Sequence, residues 1–295
     1  MPQTFVRRFI LVIFFALLSG AAPRLMAADT SVKVTVTKDV IDDYQRFVAG
    51  REVSAIDYYG GPGARRDVIE LVLLQQALKL GGFNPPLSIV REQTYRRTLH
   101  QVANGELIGT GALAWRGDAA DLQNKLYISA AAIEDGEFIV GLYTSQQNHR
   151  ALNASQQTLR RLVAVTSPDW KVDQITLDAL GFRNIYLTNT WVSIVRMLHA
   201  QRGDITLAPF QTGARMALYN EEATLLPIPN IKVALKGSRH WLVSRQHPLG
   251  ETYYQALERG LAQLRQRGVI RRAYRECGFF NPAVTDWPLL QPPQE

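Results

Sequence analysis

"YLTNTWVSIVRMLHAQRGDITLAPFQ", residues 186–211, reads as strand, helix, strand. A short apolar run ending at Leu187 passes into Thr188, Asn189 and Thr190, residue types suited to a helix N-terminus. "WVSIVRMLHAQRG" then sets apolar residues at helical spacing and stops at Gly203. "DITLAPFQ" is a second strand, ending in Phe210 and Gln211. In open sheets built from such units, ligands bind beyond the carboxyl ends of the strands. The hydroxyls, the amide and the aromatics therefore stand where a sheet of this kind exposes a site.

The same alternation extends in both directions. On the N-terminal side lie "RRLVAVTS" as a strand, "WKVDQITLDALGF" as a helix closed by Gly181, and "NIYL" as a strand. Further upstream, "VSAID" (53–57) reads as a buried strand and "YYGGPGARR" as a glycine-rich loop. "DVIELVLLQQALKLGG" reads as a largely buried helix, with Asp67 in its first turn, Glu70 three residues on, and Gly81 and Gly82 ending it. "LSIVRE", a helix over "EQTYRRTLHQVANGE" and the strand "GALAWRG" follow. Downstream come the strand "RHWLVS" and a long helical region, residues 252–279, broken at Gly268. Strands alternating with helices predict an α/β fold, each sheet flanked by helices. The Pro-rich tail "PLLQPPQE" predicts a loose end.

The N-terminus points to export. Arg7 and Arg8 precede an apolar run from Phe9 to Ala22, and small residues follow in "LMAADT". That run is shorter than the ~20 apolar residues that span a bilayer. The pattern is that of a secretory signal peptide, residues 1–27, cut after Ala27 and leaving a periplasmic protein. Its loss removes three arginines and no acid, so the net charge of +7 falls to +4, an ordinary soluble surface with no concentrated basic face for nucleic acid. Cys277 is the single cysteine, so no disulfide forms within the chain; lying in "YRECGFF", it reads as a small buried apolar residue. Cohesion must come from the core, and 46% hydrophobic residues supply it.

Several segments resemble the family 3 solute-binding proteins. These are "ARRDVIELVLLQQALKLGGF", "VANGELIGTGALAWRG", "EFIVGLYTS", "LGFRNIYLTNTWVSIVRMLHAQRGDITLAPF" and "HWLVSRQHPLGETYYQALERGLAQLRQRGVIRRAY". The resemblance implies a two-lobed type II periplasmic-binding fold with two hinge strands, near "GLYTSQ" and "LKGSRH". Lobe 1 would be residues 28–142 with 239–295, and lobe 2 residues 143–238. It implies a monomer that closes on a small polar solute and delivers it to an inner-membrane ABC permease or a membrane sensor. No cofactor, metal or nucleic acid is expected. The pattern departs from amino-acid binders of the family at one place. Where they carry a threonine and a clamping arginine after the "AWRG"-type strand, this chain has Ala119 and Leu122. The departure leaves room for a module that serves signalling or protein contact and has no tight ligand.

The candidate ligand-binding residues are Tyr58, Tyr59, Trp115, Arg116, Thr188, Asn189, Thr190, Trp191, Phe210 and Gln211. Each has a plainer alternative. Thr188, Asn189 and Thr190 can cap the helix as well as face an anion. Trp191 can stack on a ligand or on its own helix, and Arg116 can reach a ligand or pair with Asp118 or Asp121. Enzyme motifs do not emerge: the five histidines lack metal spacing, and neither a nucleophile elbow nor a phosphate loop is present. A lyase or dehydratase on this fold stays open, because an acid–base pair drawn from distant segments leaves no local motif.

Overall fold

A computed structural model describes residues 31–293 except 92, 93, 214 and 220. The predicted signal peptide lies outside the described residues. Among these, no helix is long and apolar enough to cross a membrane.

The first sheet has strand order Leu87–Arg91, Val32–Val36, Gly109–Thr110, Leu242–Ser244, Leu126–Ile128. Val32–Val36 is parallel to both of its neighbours, and Leu242–Ser244 is antiparallel to both of its own. Val32, Val34 and Val36 are buried, as β-branched residues on a central strand should be. The opening strand is thus "VKVTV". "VSAID" is no strand: Val53–Ala55 is a single 3-10 turn. Its apolar residues were too few to separate a strand from a turn by pattern alone.

The helix Arg66–Leu80 covers this sheet and packs against Gly250–Gln266. Two glycines permit the crossing. A Cβ on Gly81 would lie 1.8 Å from the Ala256 carbonyl oxygen, and one on Gly260 1.8 Å from that of Ala77. Gly268, at φ +68°, ends the long helix before Val269–Glu276 begins.

The second sheet is built on Phe138–Ser145, the longest strand. Thr206–Pro209 pairs antiparallel with one edge of it, and Thr224–Pro227 and Val233–Leu235 also pair antiparallel with it. Val163–Thr166 pairs parallel with Asn184–Leu187 and meets the Thr206–Pro209 side through an Ala164–Ile205 bridge. Tyr143, Ile194, Val195, Leu198 and Phe210 form a core here. The chain changes sheet between Ile128 and Phe138, and again between Leu235 and Leu242.

As far as residue 293, the last one described, the C-terminal tail is not loose. Lys232 N–H donates to the Pro288 carbonyl at 3.1 Å, and Leu290 N–H donates to that of Lys232 at 2.8 Å. Trp287 meets Phe210 edge-on at 5.5 Å, and the Arg160 guanidinium donates to the Gln291 carbonyl. Prolines keep this segment out of a helix, yet an extended chain still offers carbonyls and apolar rings to a neighbour.

Candidate functional site

A cavity of about 530 Å³ opens between the two sheets. One wall comes from the ends of the first-sheet elements: Val36, the N-terminus of Arg66–Leu80, Tyr95, Trp115 and Asp118. The other comes from Asp169, Trp170, Asp173, Trp191 and the stretch Leu207–Thr212. Its size lies within the range for small-molecule pockets, and its walls mix rings with charges.

Four of the predicted residues line this cavity: Trp115, Trp191, Phe210 and Gln211. Trp115 leans on Phe138 with ring centroids 5.2 Å apart. Trp191 heads its helix and meets Trp170 at 6.5 Å, the planes inclined by 39°. Gln211 is held in place from three sides. Its side-chain amide donates to the Pro209 carbonyl, its N–H donates to the Tyr143 hydroxyl, and its carbonyl accepts from Asn281.

The other six lie outside the lining, each for a local reason. Tyr58 is 59% exposed in its loop. Tyr59 is buried, its hydroxyl donating to Gln76 Oε1 at 2.7 Å and its N–H to Glu276 at 2.8 Å. Gln76 stands ten residues along the helix from Arg66, about 15 Å from the end that faces the cavity. Thr190 caps the helix Trp191–His199 by accepting the Ser193 N–H at 3.1 Å. Thr188 N–H donates to the Thr166 carbonyl and continues the strand pairing, and Asn189 is exposed beside it. Arg116 follows Trp115, where the strand ends and the 3-10 helix Arg116–Leu122 turns the chain aside. With the indole turned inward, the guanidinium is exposed.

Three arginines line the cavity, Arg65, Arg66 and Arg239, and of these Arg239 makes no ion pair among the described residues. It is the cross-strand partner of Trp115, and partners in register share a face. Its guanidinium lies 4.8 Å from the Trp115 ring and 5.2 Å from the Phe138 ring. One terminal nitrogen donates to the Leu113 carbonyl, while Nε is buried without a partner. The nearest carboxylate in charge terms, Glu70, is already taken: it accepts from Arg66 at 2.5 Å and from the Leu113 N–H at 2.9 Å. Glu70 therefore serves as a buried brace rather than as part of a helix cap. Burial, reinforced by the Arg66 charge, lowers the pKa of Arg239.

Across the cavity stands Asp173, 9% exposed, on the first turn of Lys171–Ala179. Burial pushes its carboxyl up to about 7, against the pull of the Arg239 charge and the Thr166 hydroxyl. Tyr95 donates to Asp118 at 2.9 Å on the opposite wall. Arg65 is held by Asp39 at 2.5 Å and by Asp67 at 2.7 Å. Cys277 touches the lining, and burial pushes its thiol up to about 12, so it is an inert wall atom. Among the described residues, no group of three or more His, Cys, Asp or Glu is placed to hold a metal ion.

Sequence reasoning missed Arg239, Asp173, Trp170 and Tyr95. The signal for Trp170 and Asp173 lay in "VTSPDW", a second strand end running into a helix. Arg239 had no local signal, since it faces inward only through its pairing with Trp115.

No protein-family model matches the chain, and no curated protein matches it. In structure it is similar to the periplasmic VFT2 domain of Bordetella pertussis BvgS, with TM-score 0.55 and 13% identity over 85% of this chain and 94% of that one. It is also similar to ytmK of Bacillus subtilis, a probable amino-acid ABC transporter extracellular-binding protein, with TM-score 0.53 and 12% identity over 83% and 96%. A third is AncCDT-1, an ancestral amino-acid-binding protein and precursor of cyclohexadienyl dehydratase, with TM-score 0.53 and 12% identity over 85% and 96%. The chain thus has the two-lobed type II periplasmic-binding-protein fold. At such identities the likeness speaks for the fold alone.

Proposed function

We propose that this protein is a periplasmic solute-binding protein, exported by residues 1–27, that closes as a monomer on a small polar solute. The observation that carries this reading is the pairing of Arg239 and Asp173. Two ionisable side chains, a buried Asp173 and a half-buried Arg239, line a common cavity from opposite walls, and desolvation works against the charged form of each. Buried charges without partners are costly, and a ligand that supplies the missing partners repays that cost. Contacts made to both walls exist only when the lobes are closed, so such a ligand shifts the protein toward closure. Trp115, Trp191, Phe210 and Gln211 belong to the same site.

The lobe division that goes with this reading follows the sheets. Lobe 1 holds the first sheet and the two C-terminal helices, and lobe 2 holds the second sheet. The crossings then fall at residues 129–137 and 236–241, the first upstream of the "GLYTSQ" expectation, and the tail after Asn281 belongs with lobe 2.

Delivery to an ABC permease or a membrane sensor completes the proposal. Titration with a metabolite panel, followed by X-ray scattering and tryptophan fluorescence, tests it. A ligand should reduce the radius of gyration and alter the emission of Trp115, Trp170 and Trp191. Leu122, where a clamping arginine is usual, favours a second reading: a signalling module with no tight ligand. A flat response across the panel would support that reading and overturn the first. Turnover of a bound ligand would instead argue for a lyase.

A further inference from the structure

The two walls of the cavity differ in charge type. Arg65, Arg66 and Arg239 all belong to the first wall, and Arg65 and Arg66 are already ion-paired with Asp39, Asp67 and Glu70. Among the described residues, no lysine or arginine of the second sheet lines the cavity; that wall carries Asp169, Asp173, Trp170 and Trp191. Asp173 is nine-tenths buried and belongs to the lining, which sets it apart from an ordinary acid on a helix's first turn.

The cationic corner is chemically selective. A primary ammonium carries three donors and needs acceptors for them. Indoles supply none, since the indole N–H only donates. Trp170 and Trp191, 6.5 Å apart and inclined by 39°, instead put two adjoining indoles in the lining, with Asp173 one helical turn after Trp170. Ring faces with a nearby negative charge suit an alkylated ammonium, which has no N–H to satisfy. On the far wall, Arg239 lines the cavity with no carboxylate ion-paired to it among the described residues, and a guanidinium so placed suits a carboxylate.

Resting on the solute-binding reading above, we infer that the ligand is a dipolar solute: a carboxylate held by Arg239, joined to an N-alkylated ammonium packed against the corner of Trp170 and Trp191 and facing Asp173. A free amino acid fits the anionic end equally well; at the other end its ammonium can use the Asp173 carboxylate but leaves the indole walls without an apolar partner.

Isothermal titration of the full mature chain with two matched pairs tests this. The pairs are trimethylglycine with glycine, and 4-(trimethylammonio)butanoate with 4-aminobutanoate. In at least one pair the alkylated member should bind tenfold or more tighter than its amine. In that pair Trp170→Leu and Arg239→Gln should each cost tenfold or more, with unchanged circular dichroism. Equal or tighter binding of the amines overturns the inference, as does absence of heat with both alkylated members. The parent reading is judged separately. If ordinary amino acids bind and compact the protein, it stands while the inference falls; if no member of a broad metabolite panel binds, both fall.

Discussion

Replacing Asp173 by asparagine isolates the cost of holding a carboxylate in the cleft. Its pKa rises from 3.8 to about 7 on folding because burial penalises the charged form. The folded state therefore holds this proton over a pH range where the unfolded chain has released it, and stability falls as pH rises from about 4 to 7. Below pH 4 both states are protonated and the penalty vanishes. Above pH 7 it is complete, at about 4 kcal/mol for the full gap, taking 1.36 kcal/mol per pH unit. Asparagine keeps the shape and removes the titration. Between pH 5 and pH 8 the native protein should lose roughly 2–3 kcal/mol relative to the variant. For a chain of this size that corresponds to roughly 5–10 °C in Tm. Differential scanning calorimetry of both proteins at pH 4, 5, 6, 7 and 8 gives the curve directly. Parallel Tm profiles across that range would refute the argument, since they would mean that Asp173 titrates alike folded and unfolded. The same variant should bind ligand more weakly, so its gain in stability is a loss of function.

Four further outcomes follow from the same geometry. Trp191→Ala should weaken ligand binding at least tenfold, on the order of 1.4 kcal/mol, by titration calorimetry. Arg116→Ala should leave the affinity within twofold, because its side chain is exposed outside the cavity; a larger loss would put that guanidinium in the site. Affinity for a cation-bearing ligand should rise roughly tenfold from pH 6 to pH 8 as Asp173, raised to about 7, ionises opposite the Arg239 guanidinium. Asp173→Asn should flatten that profile. Gly260→Ala should cost roughly 1–3 kcal/mol in a urea melt, because its Cβ would meet the Ala77 carbonyl at 1.8 Å and push two helices apart.

The C-terminal segment also bears on the proposed closure. After Val269–Glu276 the chain runs past the cavity through Phe279 and lies along the second sheet at Lys232. Movement between the lobes must bend this segment as well as the two crossings.

Local chemistry was enough for much of the architecture. The cap at Thr190, the helix after it, the strands Val163–Thr166, Asn184–Leu187 and Thr206–Pro209, and the break at Gly268 were all legible, because caps, periodicity and left-handed glycines act within a few residues. Strand ends running into helix starts also marked Trp191, Phe210 and Gln211 as cavity residues. What the tertiary structure alone decided was which way side chains face when their neighbours come from far along the chain. Arg239 points into the cleft because it pairs with Trp115, while Arg116 leaves the strand for a 3-10 helix and stays exposed. Tyr59 is spent on Gln76 because its loop packs along a helix, and Asp173 is buried because a second wall stands opposite. Periodicity is a property of the nearby chain, whereas strand register and the desolvation of a carboxylate arise only when distant segments meet.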